Sequence, residues 1–295
     1  MNKFFHIFLL LLCALILANG QAVVEGSALA LTLWFEKLLP SMFVSMVFVR
    51  FIVAINILPW LIKPFNPFTQ ALFKLDASAF SLVLVSLLIG FPASAIMIDE
   101  AVGKGELNRQ QGQRLITCCC CASCSFILVT VGTVLYQSST IGLKLWLIQC
   151  LTVFTLLLLT RKTACTTVIS THSSTTFQCF AKAITASINT MFLIVGYLMI
   201  TLSLCTLFTP HLPQALSDLL AIIAEFSSGC VRLAQSHLES FQKLLYTSML
   251  LSFGGLCVHL QILGSCEHTK LNTYHFFIFR LFQSLLAVFF TLLFF

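Results

Sequence analysis

Residues 87–132 read LLIGFPASAIMIDEAVGKGELNRQQGQRLITCCCCASCSFILVTVG, from Leu87 to Gly132, and the fold turns on how they are read. An apolar run is interrupted by Gly90-Phe91-Pro92. A charged turn follows from Asp99 to Arg114, and a second apolar run opens in small residues, Thr117 to Ser125. Proline lacks a backbone donor and clashes with the preceding turn, and glycine adds backbone freedom, so a helix here breaks or kinks near mid-bilayer. Hydrocarbon cannot satisfy the carbonyls that a break releases. Such breaks persist only inside protein or beside a wet cavity, and paired broken helices mark substrate sites in transporters.

A weak echo of this stretch lies further on. Gly90-Phe91-Pro92 and the run Thr117 to Ser125 find counterparts in Glu225-Phe226-Ser227-Ser228-Gly229 and Ser252-Phe253-Gly254-Gly255, both at an offset of 135 (225 − 90 and 252 − 117). The expectation is an all-α, polytopic helical membrane protein of two inverted-repeat-like halves with broken or re-entrant helices. The halves fall at residues 27–162 and 177–295, joined by a Ser/Thr-rich linker at 163–176. Residues 1–26 form an N-terminal hydrophobic helix, either a signal anchor or a signal peptide with small residues at Ala18-Asn19-Gly20.

Composition points the same way. Of 295 residues 59% are hydrophobic and only 9% charged, against about a quarter charged in soluble domains. The net charge of +6 is scattered at segment ends, where it reads as a topology signal and not as a nucleic-acid surface. Counting the first helix gives about nine spans. The loops near 100–114, 161–176 and 232–243 are placed together on the Lys/Arg-rich, cytoplasmic side. Asn108 with Gln111 three residues later spells a capping box, so a helix starts there.

Two charges stand inside apolar segments. Arg50 lies between Lys37 and Lys63, and either faces a cavity or an acidic partner or snorkels to an interface. Glu225 sits in the second interruption, where a carboxylate either pairs with Arg50 or binds a cation or substrate donor, or stays wet at an interface. With these, the candidate cavity residues are Gly90, Phe91, Pro92, Ser123, Ser125, Asn189, Ser228, Gly229, Gly254, Gly255 and Gln261. Most of the thirteen cysteines fall in apolar runs and serve as small hydrophobes; Cys121-x-x-Cys124 lacks further ligands at metal spacing. The seven histidines are scattered and no nucleophile motif appears, so the expectation is no enzyme, no metal and no cofactor.

Several stretches together carry a family likeness. Trp34 to Phe43 (WFEKLLPSMF), Gly90 to Ala93 with Gly105-Glu106-Leu107, Glu225 to Gly229, and Ser252 to Gly255 with Val258 and Gln261 resemble the sporulation integral membrane protein YlbJ family. That family belongs to the nucleoside-recognition or Gate-domain membrane proteins, which are similar to pieces of concentrative nucleoside and ferrous iron transporters. The resemblance implies a multi-pass protein of the bacterial cytoplasmic membrane, at the mother cell or forespore, working in spore cortex or envelope formation. It implies a small-solute permease component, or else a non-transporting scaffold. Its partners would be the bilayer, a small polar solute or ion, and a second copy or sporulation membrane proteins. Where the family pattern has Cys followed by Asn and Pro, this chain has Cys118 to Cys121 and then Ala122-Ser123-Cys124-Ser125, so a ligand role for that segment does not carry over.

Overall fold

The computed structural model describes residues 3–162, 164, 167 and 175–295. Most of the linker at 163–176 therefore lies outside the described residues. Every regular element among the described residues is helical. Helix α1 (Lys3–Ala18) ends at Asn19, and α2 (Gly20–Ala54) runs on through a π-turn at Trp34–Leu38. The short helices α3 (Ile57–Ile62) and α4 (Asn66–Phe73) lead to α5 (Ala77–Ile89) and α6 (Ala93–Gly103). Then come α7 (Arg109–Cys119), α8 (Phe126–Leu135, wound as a π-helix) and α9 (Ser139–Leu159). The second half holds α10 (Thr176–His211), α11 (Gln214–Ala224), α12 (Phe226–Gln235), α13 (Ser240–Phe253), α14 (Gly255–Ser265) and α15 (Thr273–Phe294).

Local chemistry sets most of these boundaries. The Asn108–Gln111 capping box forms as the sequence suggests, with both reciprocal bonds at 2.8 and 2.9 Å. Asp76, Ser138 and Asn272 each accept from the third residue of the helix they start, fixing α5, α9 and α15.

The long helices α2 and α10 pack antiparallel along their length. Thr206 Oγ1 donates to the Ala22 carbonyl at 2.7 Å, Trp34 Nε1 to the Met191 carbonyl at 3.1 Å, and Phe51 meets Phe180 edge-on at 5.3 Å. Close approach is allowed by small residues, since a Cβ on Gly26 would lie 2.5 Å from Ser203 Cα. Contacts with α10 thus begin at Ala22, and the boundary drawn at residue 26 falls inside a continuous packed helix.

The interruptions turn the chain back. Arg232 on α12 reaches Asp218 on α11 at 3.9 Å, and a Cβ on Gly229 would meet the Ile222 carbonyl at 2.6 Å, so α11 and α12 are the antiparallel arms of a hairpin with Glu225 at its tip. In the first half, Leu82 of α5 faces Met97, Glu100 and Ala101 of α6 across one cavity, and the tip is Gly90–Pro92.

Side-chain contacts show from which end each hairpin enters. Arg114 donates to the carbonyls of Phe73 (2.7 Å) and Leu157 (3.0 Å), which puts the base of α5, the start of α7 and the end of α9 at one face. At the other face Tyr136 meets Thr247 at 2.7 Å and Lys144 reaches the Phe294 carbonyl at 3.0 Å, which gathers the ends of α8 and α15 with the starts of α9 and α13. The 104–108 connection belongs to the first face and the 236–239 connection to the second. The placement of 232–243 beside 100–114 and 161–176 is therefore corrected.

The span count changes with it. Among the described residues five helices are long and apolar enough to cross a membrane. The pair α7–α8, interrupted at 120–125, runs from the first face to the second, and α5–α6 and α11–α12 each turn back to the face they start from, as re-entrant hairpins do. Hydropathy counts the length of an apolar run, which is the same whether its second arm continues or returns, so nine spans were expected.

Candidate functional site

The hairpin tips come in from opposite faces and meet beside the breaks of the two interrupted crossings, α7–α8 and α13–α14. Phe91 N donates to the Cys121 carbonyl at 2.8 Å, joining the first tip to the first broken crossing. Gly90 has φ +67°, and a Cβ there would lie 2.3 Å from Ser123 N. In the second half Gly255 has φ +70°, and its Cβ would lie 2.9 Å from Phe226 N. Only glycine serves at these two places. Between the halves, Phe226 packs edge-on against Phe91 at 4.9 Å and against Phe126 at 5.1 Å. The middle of the crossing is an aromatic cluster.

Eight helix ends converge here, four of each polarity, and each polarity has its own neutraliser. Glu225 is 1% exposed; its Oε1 accepts from Ser227 N (2.9 Å) and Oγ (2.5 Å), and its Oε2 from Ser228 N (2.6 Å). The carboxylate caps α12 with three charge-assisted hydrogen bonds. For α8, Phe126 N donates to Ser123 Oγ at 3.2 Å. The carbonyl ends are served by long donors from the flanking crossings. Trp146 Nε1 of α9 lies 3.5 Å from the Leu87 carbonyl of α5.

Arg280 of α15 is 0% exposed and serves two ends together. It donates to the carbonyls of Thr117 (2.6 Å) and Cys120 at the end of α7, to that of Ser252 (3.4 Å) at the end of α13, and to Gln283 Oε1. No carboxylate pairs with it among the described residues. The guanidinium occupies the position a bound cation would take between two negative helix ends. A polar seam continues behind it. Ser252 Oγ donates to Gln149 Oε1 (2.9 Å), Gln283 lies 3.4 Å from Thr152, and Thr291 lies 2.8 Å from Ser248.

Of the residues singled out in the sequence, Gly90, Phe91, Pro92, Ser123, Ser125, Glu225, Ser228, Gly229, Gly254 and Gly255 gather at or next to the crossing. Gln261 sits further along α14, donating to Cys257 Sγ at 3.3 Å. Asn189 is exposed on the outer side of α10, away from the crossing. Arg50 does not meet Glu225. It lies near the C-terminal end of α2, donates to Thr190 Oγ1 at 3.1 Å and faces Glu100 at 3.7 Å. There it lines a cavity of about 480 Å³ that includes none of the four breaks.

Arg280 is not among the residues singled out in the sequence, although the argument applied to Arg50 holds for it equally: one charge in an otherwise uncharged run. Asp99 was counted among loop charges. It is 4% exposed and accepts from Thr269 N (2.7 Å) and His268 N (3.2 Å), tying α6 to the end of α14. The cysteines of the 118–121 run are buried at the end of α7, and none of the twelve described cysteines forms a disulfide.

A search of curated proteins finds the sporulation integral membrane protein YlbJ of Bacillus subtilis (strain 168), 22% identical over 331 aligned positions that take in 97% of this chain and 81% of that protein. The chain is similar to that protein along nearly its whole length. No family model matches it, and no solved structure matches it. With this likeness to an integral membrane protein and several apolar helices, it is a multi-pass membrane protein in contact with the bilayer. The alignment runs through both halves of the chain.

Proposed function

We propose that this chain is a small-solute transporter or permease component acting in sporulation, and not an enzyme, with its solute site at the crossing of the broken helices. The observation that carries the reading is the convergence of two re-entrant tips, from opposite faces, on two broken crossings. Main-chain ends of both polarities converge there. The antiparallel packing of α2 with α10, and of α9 with α15, supports reading the halves as an inverted repeat, the Gate-like arrangement the family resemblance implies. Rocking one half against the other would part Phe91 and Phe126 from Phe226 and open the crossing first to one face and then to the other.

Glu225 supplies the fixed negative charge, and Arg280 a fixed positive one in place of a dissociable ion. A solute with both donor and acceptor groups suits such a site better than a bare ion. A second reading has one observation in its favour: the crossing is filled by three aromatic rings and its helix ends are already satisfied, as a scaffold would require.

Uptake into proteoliposomes separates the two. The proposal expects at least one member of a broad panel of nucleosides, sugars and amino acids to accumulate, and expects Glu225→Gln to abolish that accumulation. If no solute moves while loss of the protein still damages spores, the scaffold reading replaces it.

A further inference from the structure

The cavity beside Arg50 lies away from the crossing and is of different character. It is walled by α2, α5, α6 and α10, and five charged side chains line it: Arg50, Lys104 and Lys182 against Glu100 and Glu106. Three cations and two anions leave one net positive charge. Arg50 is 6% exposed, and although its terminal nitrogens reach Thr190 and Glu100, its Nε is buried without a partner. Glu100 is half exposed, so the 3.7 Å contact holds Arg50 loosely. Apart from Asn56, the rest of the lining is apolar or thiol, with Val53, Leu82 and Met97 among it.

Depth narrows the choice of ligand. Arg50 stands four residues from the end of α2, at the face where the 104–108 connection lies. Just beyond, α3, α4 and the 63–65 turn between them expose Trp60 (73%), Leu61 (57%), Phe65 (64%) and Phe68 (61%). Aromatic residues exposed on short helices at the end of a span mark the headgroup level of a bilayer. A buried guanidinium with a spare donor, flanked by lysine and backed by apolar wall, is suited to a phosphate oxygen. The two carboxylates suit an ammonium or hydroxyl next to it.

We propose that this cavity binds the phosphate-bearing headgroup of a phospholipid, zwitterionic or singly anionic, between the α2–α10 pair and the α5–α6 hairpin. Arg50 takes the phosphate, and Glu100 and Glu106 face the headgroup's polar end. The lipid bridges the long helices to the re-entrant arm that forms one side of the crossing, so its occupancy tunes how firmly that arm is held. The site stands whether or not the crossing carries a solute.

The test uses the full chain purified in detergent and returned to nanodiscs of phosphatidylethanolamine, phosphatidylglycerol or phosphatidylcholine. Retained lipid is counted by native mass spectrometry, with glycerol 3-phosphate as the soluble probe. The wild type is expected to retain one phosphatidylethanolamine or phosphatidylglycerol. Arg50→Gln should weaken that retention about tenfold or more, the loss of one charge-assisted contact. Lys104→Gln, on an exposed residue that leaves folding intact, should weaken it in the same direction, and Lys74→Gln, outside the cavity, should leave it unchanged. Glycerol 3-phosphate displacing the lipid would show that free phosphate esters share the site. Equal retention by wild type, Arg50→Gln and Lys104→Gln, or no retention of any phosphate probe by the wild type, overturns the proposal.

Discussion

Replacing Arg280 by methionine removes the donor that serves both broken crossings. In the native chain its guanidinium satisfies the carbonyls of Thr117, Cys120 and Ser252 and the amide oxygen of Gln283, all buried. A buried carbonyl left without a donor costs about 1–3 kcal/mol, so the three main-chain acceptors together set a loss of roughly 3–9 kcal/mol. Against this, Arg280 has no carboxylate partner among the described residues, and removing such a charge recovers several kcal/mol of desolvation. The net expectation is a loss of about 2–4 kcal/mol. At about 2–4 °C per kcal/mol for a chain of this size, that lowers the melting temperature by roughly 5–10 °C. The assay is thermal unfolding of the purified protein in one detergent, followed by intrinsic fluorescence and by loss of the monodisperse elution peak. Arg280→Lys keeps the charge but reaches fewer acceptors, and should fall between the two. A methionine variant melting within about 2 °C of the wild type would refute the assignment of Arg280 as the plug of the two helix ends.

Four further outcomes follow from the same geometry. Gly90→Ala and Gly255→Ala each force a Cβ against backbone from a strained φ and should cost about 3 kcal/mol or more, whereas Gly105→Ala, with φ +74° but open space around it, should cost about 1 kcal/mol; melting of the three variants side by side checks the order. Glu225→Gln keeps one acceptor at the α12 N-terminus and should lose about 1–2 kcal/mol of stability while abolishing uptake, so melting and transport are read on the same preparation. Phe226→Ala empties the centre of the aromatic cluster and should destabilise by about 3–5 kcal/mol in the same melting assay. Arg232→Met breaks a half-exposed pair with Asp218 and should shift stability by less than about 1 kcal/mol, which sets the baseline for a charge removed outside the crossing.

The breaks themselves were legible. Gly90-Phe91-Pro92, Glu225 to Gly229 and Gly254-Gly255 mark them because proline and glycine act locally, on the turn in which they stand. Asn108 with Gln111 gave the start of α7 for the same reason. The offset of 135 was also informative: it maps Gly90 onto Glu225, tip onto tip, and Ser139 to within one residue of the first residue of α15, Thr273. What the sequence withheld was direction. Whether α6 continues α5 across the membrane or returns beside it depends on contacts with α7 and α10 that no local pattern encodes. With direction unknown, the sidedness of 232–243 was misplaced; Arg50, read as facing a cavity or an acidic partner or reaching an interface, lies at the end of a long helix, lining a cavity opposite Glu100. Asp99 and Arg280 were visible as letters, but their partners are main-chain groups, and main-chain groups released by a break leave no mark on side-chain identity.

The sidedness of the two hairpin connections tests the central claim most directly. In a chain with Cys13 and Cys165 replaced by serine, single substitutions Lys104→Cys and Glu239→Cys place an exposed thiol on the α6–α7 and α12–α13 connections. A membrane-impermeant maleimide applied to right-side-out and inside-out vesicles should label each from one side only, and from opposite sides. Labelling of both from the same side would mean that the hairpins do not enter from opposite faces, and the crossing described here would not exist.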